Sequence, residues 1–173
     1  MGLVSTTVRS AHLVSNAAWF GGSLMGAVGL NPASREGDDL RERAEISGAG
    51  WEKWGPVQGA AVGVHLLSGL AILADNRRRT LAHPPTTVAV LLKTGLTMAA
   101  VAASAAAYRS GQQLGEAAGE DGRSQDPQRA QELSQRMSWL QWATPAATGG
   151  LLVLDAYLGE QQRGLAGLLD RRR

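Results

Sequence analysis

Two oppositely charged side chains stand inside otherwise uncharged stretches of this 173-residue chain: Lys93 in PPTTVAVLLKTGLTMAAVAASAAAY and Asp155 in SWLQWATPAATGGLLVLDAYL. An ammonium and a carboxylate in apolar surroundings each demand a partner. Three chemistries stay open for them: a structural ion pair, one wall of a substrate or proton site, or two separate charges whose stems reach back to water. His65 lies midway along a third apolar stretch, level with Thr97 and Thr148, as a hydrogen-bonded structural residue, a ligand or a proton carrier. His12 opens a fourth. Met25 and Met98 are soft ligands for copper(I) if joined by histidine, although methionine in such stretches ordinarily packs.

The elements that position these residues are four apolar segments: 11–30, 56–75, 86–108 and 138–158. Each has about 20 residues, the length of helix that crosses about 30 Å of hydrocarbon. A soluble bundle would repeat charges on the outer face of every helix. Here only Asp75, at an edge, joins Lys93 and Asp155. The expected fold is an all-α, antiparallel, integral membrane four-helix bundle. It forms a single domain over 1–173, with partly helical outer loops at 31–55 and 109–137, a cytoplasmic loop at 76–85 and a tail at 159–173. Arg9 before the first segment suits a signal peptide, but the segment is long and has no clear A-x-A site, so a retained anchor is expected.

Charge sets the direction. The short NRRRTLAHPP loop and the tail ending in Arg171–Arg173 are dense in arginine, while the two long loops carry more acidic than basic residues. Positive density marks the cytoplasmic side, so both termini are expected there. Trp51, Trp54, Tyr108, Trp139 and Trp142 then fall at the opposite interface, where amphipathic rings anchor. Arginine outnumbers lysine fifteen to two, which fits GC-rich coding and a bacterial inner membrane. The basic residues are too scattered for a nucleic-acid footprint. The chain has no cysteine, hence no disulfide and no thiolate chemistry.

Every segment carries a polar stripe at three-to-four spacing. The stripes are His12, Asn16, Trp19 and Ser23; Gln58, His65, Ser68 and Asp75; Lys93, Thr97, Ser104 and Tyr108; Gln141, Thr144, Thr148 and Asp155. Polar groups in lipid seek one another, so the stripes are expected to face inward. Gly22 with Gly26 and Gly59 with Gly63 form G-x-x-x-G pairs, and Gly95 continues the small-residue pattern, which brings helices close within a chain or between chains. Pro145 predicts a kink. Lys93 lies about 10 Å and Asp155 about 5 Å from the cytoplasmic ends of their segments, a difference a lysine stem covers. Straight, level segments would separate His12 and His65 by about 15 Å in depth, leaving them weak candidates for one metal or haem. In the outer loops, DDLRERAEI (38–46) suggests a short surface helix. SGQQLGEAAGEDGRSQ (110–125) reads as flexible. Asp126 and Pro127 read as a helix start that extends the last segment outward.

No G-x-S-x-G, H-E-x-x-H or phosphate-loop pattern occurs, so no enzyme and no cofactor are expected. The opening HLVSNAAWFGG resembles the first span of CopD-like and related small bacterial membrane proteins. That resemblance covers 11 residues, carries over only His12, Trp19, Gly21 and Gly22, and implies a helical membrane domain associated with copper handling or with no known task. The expected function is a non-enzymatic accessory or scaffold subunit, partnered by the bilayer and by other membrane subunits or itself. The alternatives are a small transporter or channel with Lys93, His65 and Asp155 in a polar interior, or a metal or haem carrier.

Overall fold

The computed structural model describes residues 3–82, 84–118, 123–124 and 126–170, with side chains described for 5–77, 84–118, 123–124 and 126–159. Among the described residues the protein is helical, with no strands and only an isolated bridge between Ala118 and Ser124. Helix α1 (Leu3–Met25) continues through a π-helical turn (Gly26–Leu30) into the short α2 (Asn31–Ser34). Three long helices follow: α3 (Leu40–Ala82), α4 (Pro84–Ala117) and α5 (Pro127–Asp170). α1 packs between α3 and α5, and α4 completes the square on the diagonal from α1. Neighbours run antiparallel. His12 faces His65 while Gly22 meets Trp54, and Lys93 faces Asp155 while Ser104 meets Thr144.

Three stretches, Ser5–Ser34, Leu40–Arg77 and Pro84–Ala117, are long and apolar enough to cross a membrane. Four were expected. The segment 138–158 lies on α5, which does not reach that apolarity among the described residues. Gln141, Thr144, Thr148, Asp155 and two glycines lower its average, and Thr144 and Thr148 are buried.

The helices are longer than the apolar segments. DDLRERAEI is no separate surface helix: from Leu40 onward it is the first part of the 43-residue α3. Glu42 N–H donates to Asp39 Oδ1 there, an N-terminal cap. Most of the expected loop at 76–85 is helical: α3 continues to Ala82, and Pro84, whose fixed φ suits a first turn, opens α4. The side chains of Arg78 and Arg79, and Arg171–Arg173, lie outside the described residues. Residues 110–117, expected to be flexible, continue α4. Arg129 N–H donates to Asp126 Oδ1 at 3.0 Å at the start of α5, and α5 then runs through Pro145 as one helix.

Polarity is inverted relative to a soluble bundle. Asn16 and Thr148 are fully buried, with His12, His65, Ser23, Ser68 and Thr144 nearly so. Leu67 is 70% exposed, Val153 69%, Val14 68% and Leu91 66%. The apolar centre is narrow: Trp19 is fully buried against Ala61, Ala100 and Ala147, one alanine from each of α3, α4 and α5. Alanine lets the backbones approach, and the indole fills the remaining space.

The glycine pairs divide. A Cβ on Gly22 would collide with the Trp54 ring, and one on Gly26 with Trp51, so the first pair seats two tryptophans of α3. Gly59, Gly63 and Gly95 have open space where a Cβ would go. Of the two alternatives for such motifs, close contact within the chain is made by Gly22 and Gly26, and Gly59, Gly63 and Gly95 do not make it among the described residues. Gly22→Ala should therefore lower the melting temperature in detergent, while Gly59→Ala should leave the isolated chain's melting temperature unchanged or slightly higher. Equal losses at both positions would contradict the placement of α3.

Candidate functional site

The polar stripes meet along the bundle axis, and their densest meeting is a layer to which each long helix gives one titratable residue. Lys93 of α4 donates through Nζ to Asp155 Oδ1 of α5. The same Nζ lies 3.2 Å from His12 Nε2 of α1. His12 Nδ1 lies 3.0 Å from the His65 carbonyl oxygen and 3.1 Å from Ser68 Oγ on α3. A carbonyl only accepts, so His12 Nδ1 carries the proton and Nε2 is the acceptor for the lysine. The Ser68 hydroxyl also donates to backbone carbonyls of its own helix, Val64 and His65. The His12 and His65 rings stack at 4.1 Å between centroids, 16° from parallel. Trp19 meets His65 edge-on at 6.0 Å.

This stacking overturns the expected 15 Å separation in depth. That separation holds only for segments set level with one another. α3 instead runs on past Asp75 to Ala82, beyond the start of α1, so His65 slides to the level of His12. Gly69 makes room: a Cβ there would sit 3.2 Å from His12 Cε1.

Beyond the layer a polar file continues. Asn16 Nδ2 approaches the Thr148 carbonyl at 3.4 Å. Trp19 Nε1 donates to Ser104 Oγ at 3.3 Å, which in turn meets Thr144 Oγ1 at 3.3 Å. Thr148 Oγ1 donates to the Thr144 carbonyl at 2.8 Å, satisfying its hydroxyl locally. At the far end Asn31 bridges two helices, donating to Gln141 Oε1 and accepting from Trp51 Nε1, both at 3.2 Å. The π turn places Asn31 there: one extra residue in a turn rotates the following face by about 100°. Asn16 Oδ1, Gln58 Oε1, His65 Nδ1 and Asp155 Oδ2 are buried without a hydrogen-bond partner.

Several expected site residues fall elsewhere. Thr97 is half-buried, and Ser104 and Thr144 take its place in the network. Asp75 is exposed. Of the five aromatic anchors, Trp139, Tyr108 and Trp142 are exposed at 80%, 66% and 48%. Trp51 and Trp54 are half-buried against Gly26 and Gly22 and pack α1 onto α3. Asn31 joins Trp51 to Gln141, the residue between Leu140 and Trp142 on α5. Asn31 carried no signal in the sequence beyond its place before Pro32. Trp19 did, since it continues the spacing of His12 and Asn16.

Chemically, the layer is neutral overall, one cation and one anion with two imidazoles. It can hold or pass a proton between Lys93 and His12, and it ties all four long helices at one level. Among the described residues no three His, Asp or Glu side chains gather as a metal site. Compared with protein-family models, curated proteins and solved structures, the chain matches none of them.

Proposed function

We propose that the protein is an integral membrane protein of a bacterial inner membrane, with four spans and both termini cytoplasmic, acting as a non-enzymatic accessory subunit of a larger membrane assembly. The observation that carries the membrane reading is the inverted polarity. Leu67, Leu91 and Val153 point outward while Asn16, Thr148 and His65 are buried, over a file from His12 to Asn31 about 28 Å long at 1.5 Å per residue. That length is close to the hydrocarbon thickness, and water would favour the opposite arrangement. On this reading α5 is the fourth span, its polar half turned to the file and its Val153 and Trp142 side turned to lipid. The accessory role is supported by α3, whose Gly55, Gly59 and Gly63 leave space that no described residue fills. Small residues on a lipid-facing side admit a partner helix closely.

Membrane extraction and thiol labelling test the topology. Carbonate-washed membranes should retain the protein. A cysteine at Gly115 should react with an impermeant reagent in intact cells, and one at Arg77 only after permeabilisation. The reverse labelling would invert the orientation, and a protein soluble without detergent would end the membrane reading. Gly59→Leu with Gly63→Leu should strip co-purifying membrane subunits without lowering the melting temperature of the isolated chain. Retention of the same partners would refute the role assigned to α3.

A further inference from the structure

The four-helix layer has more acid–base capacity than a structural clamp uses. His12 is held by its Nδ1–H, which points at the His65 carbonyl and Ser68 Oγ, so its Nε2 lone pair is turned to Lys93. Lys93 supplies the ammonium from α4 and Asp155 the carboxylate from α5. His65 of α3, fully covered, stacks on His12. These are the titratable and charged groups facing His12 from the other three long helices. Two buried atoms of the layer, Asp155 Oδ2 and His65 Nδ1, have no hydrogen-bond partner. The layer also has an edge open to the outside: the Lys93 and Asp155 side chains are 18% and 10% exposed. Beside it a groove of about 440 Å³ runs from Leu92 and Leu154, next to Lys93 and Asp155, along Val88 and Tyr157 to Pro84 at the start of α4.

We propose that this layer is a proton-binding site, with His12 Nε2 as the atom that takes the proton and the Lys93–His12 contact as what the proton breaks. Uptake forms an N–H bond at Nε2 using the lone pair that accepts from Lys93. The Nδ1–H stays on the His65 carbonyl, and Lys93 keeps its three N–H bonds. The layer passes from zero to one positive charge. The new imidazolium and the ammonium then repel at a distance where they had been bonded. Asp155 Oδ2 is the acceptor open to the N–H that Lys93 withdraws, so the lysine closes onto both carboxylate oxygens. The diagonal tie between α1 and α4 is lost, while α4 and α5 are held more firmly. Nothing in this step requires the bilayer, so spectra in micelles report on it whatever the extraction test decides.

The test uses the full chain with ¹⁵N-histidine in detergent micelles, followed by NMR from about pH 8 to about pH 3, a range that spans the ordinary histidine transition and reaches well below it. One ring is expected to change from the Nδ1–H tautomer to imidazolium. Over the same range, spin labels at the exposed positions Val14 of α1 and Met98 of α4 should move apart. His12→Asn should remove that signal and the movement together. Lys93→Gln, which keeps a donor without the charge, should displace the transition by about one pH unit or more, the size expected of a neighbouring charge. Persistence of the neutral pattern across the range would overturn the proposal. So would conversion without movement, or a transition that Lys93→Gln leaves in place.

Discussion

Lys93→Met and Asp155→Leu, made singly, are each expected to destabilise the folded protein by about 3–5 kcal/mol, the usual cost of leaving one buried charge without its partner. Snorkelling and water defects reduce such costs in a bilayer, which makes the upper figure a ceiling there. The double variant should recover much of the loss, because it removes both charges and leaves apolar side chains of similar reach. Melting in detergent measures this directly. Losses that simply add in the double variant would mean the two residues are not energetically paired. The two single variants should also differ. Asp155→Leu leaves Lys93 with His12 as an acceptor, whereas Lys93→Met leaves Asp155 with neither oxygen bonded. The lysine substitution is therefore expected to cost more.

The second large effect is Trp19→Ala. Trp19 is fully buried, and the buried apolar neighbours facing it from the three other long helices are alanines, whose side chains are too short to fill the cavity. A loss of about 3–5 kcal/mol is expected, as for buried aromatics truncated to alanine. Trp19→Phe keeps most of the volume and gives up only the Nε1 bond to Ser104, which retains Thr144 as a partner. It should cost about 1–2 kcal/mol. A small loss for Trp19→Ala would mean that α3, α4 and α5 collapse onto α1 without the indole, and that the alanine-lined centre is not rigid.

These two effects differ in how far the sequence exposes them. The depth of Lys93 and Asp155, read at 1.5 Å per residue on adjoining helices, already places them within reach of each other. The apolar runs mark the helices, and the three-to-four spacing of His12, Asn16, Trp19 and Ser23 marks the buried face of α1, where all four are covered. Asp126 and Pro127 announce the start of α5, and its capping bond is made.

What the sequence by itself determined is therefore local: where helices form, which face of each is polar, and at what depth a charge lies. Periodicity and rise per residue act along one helix and need no neighbour. Only the tertiary structure decided the relations between helices. The stacking of His12 on His65 depends on how far α3 overshoots α1, and no residue pattern within either helix records that offset. Gly22 and Gly59 sit in the same motif, yet one receives Trp54 and the other faces open space. The difference is the rotation of each helix about its axis, set by every contact in the bundle at once. Asn31 reaches Trp51 and Gln141 because a π turn rotates the chain just before it. Axial offset, rotation and the extra residue of a π turn are collective packing variables, settled when four helices bury one polar file together.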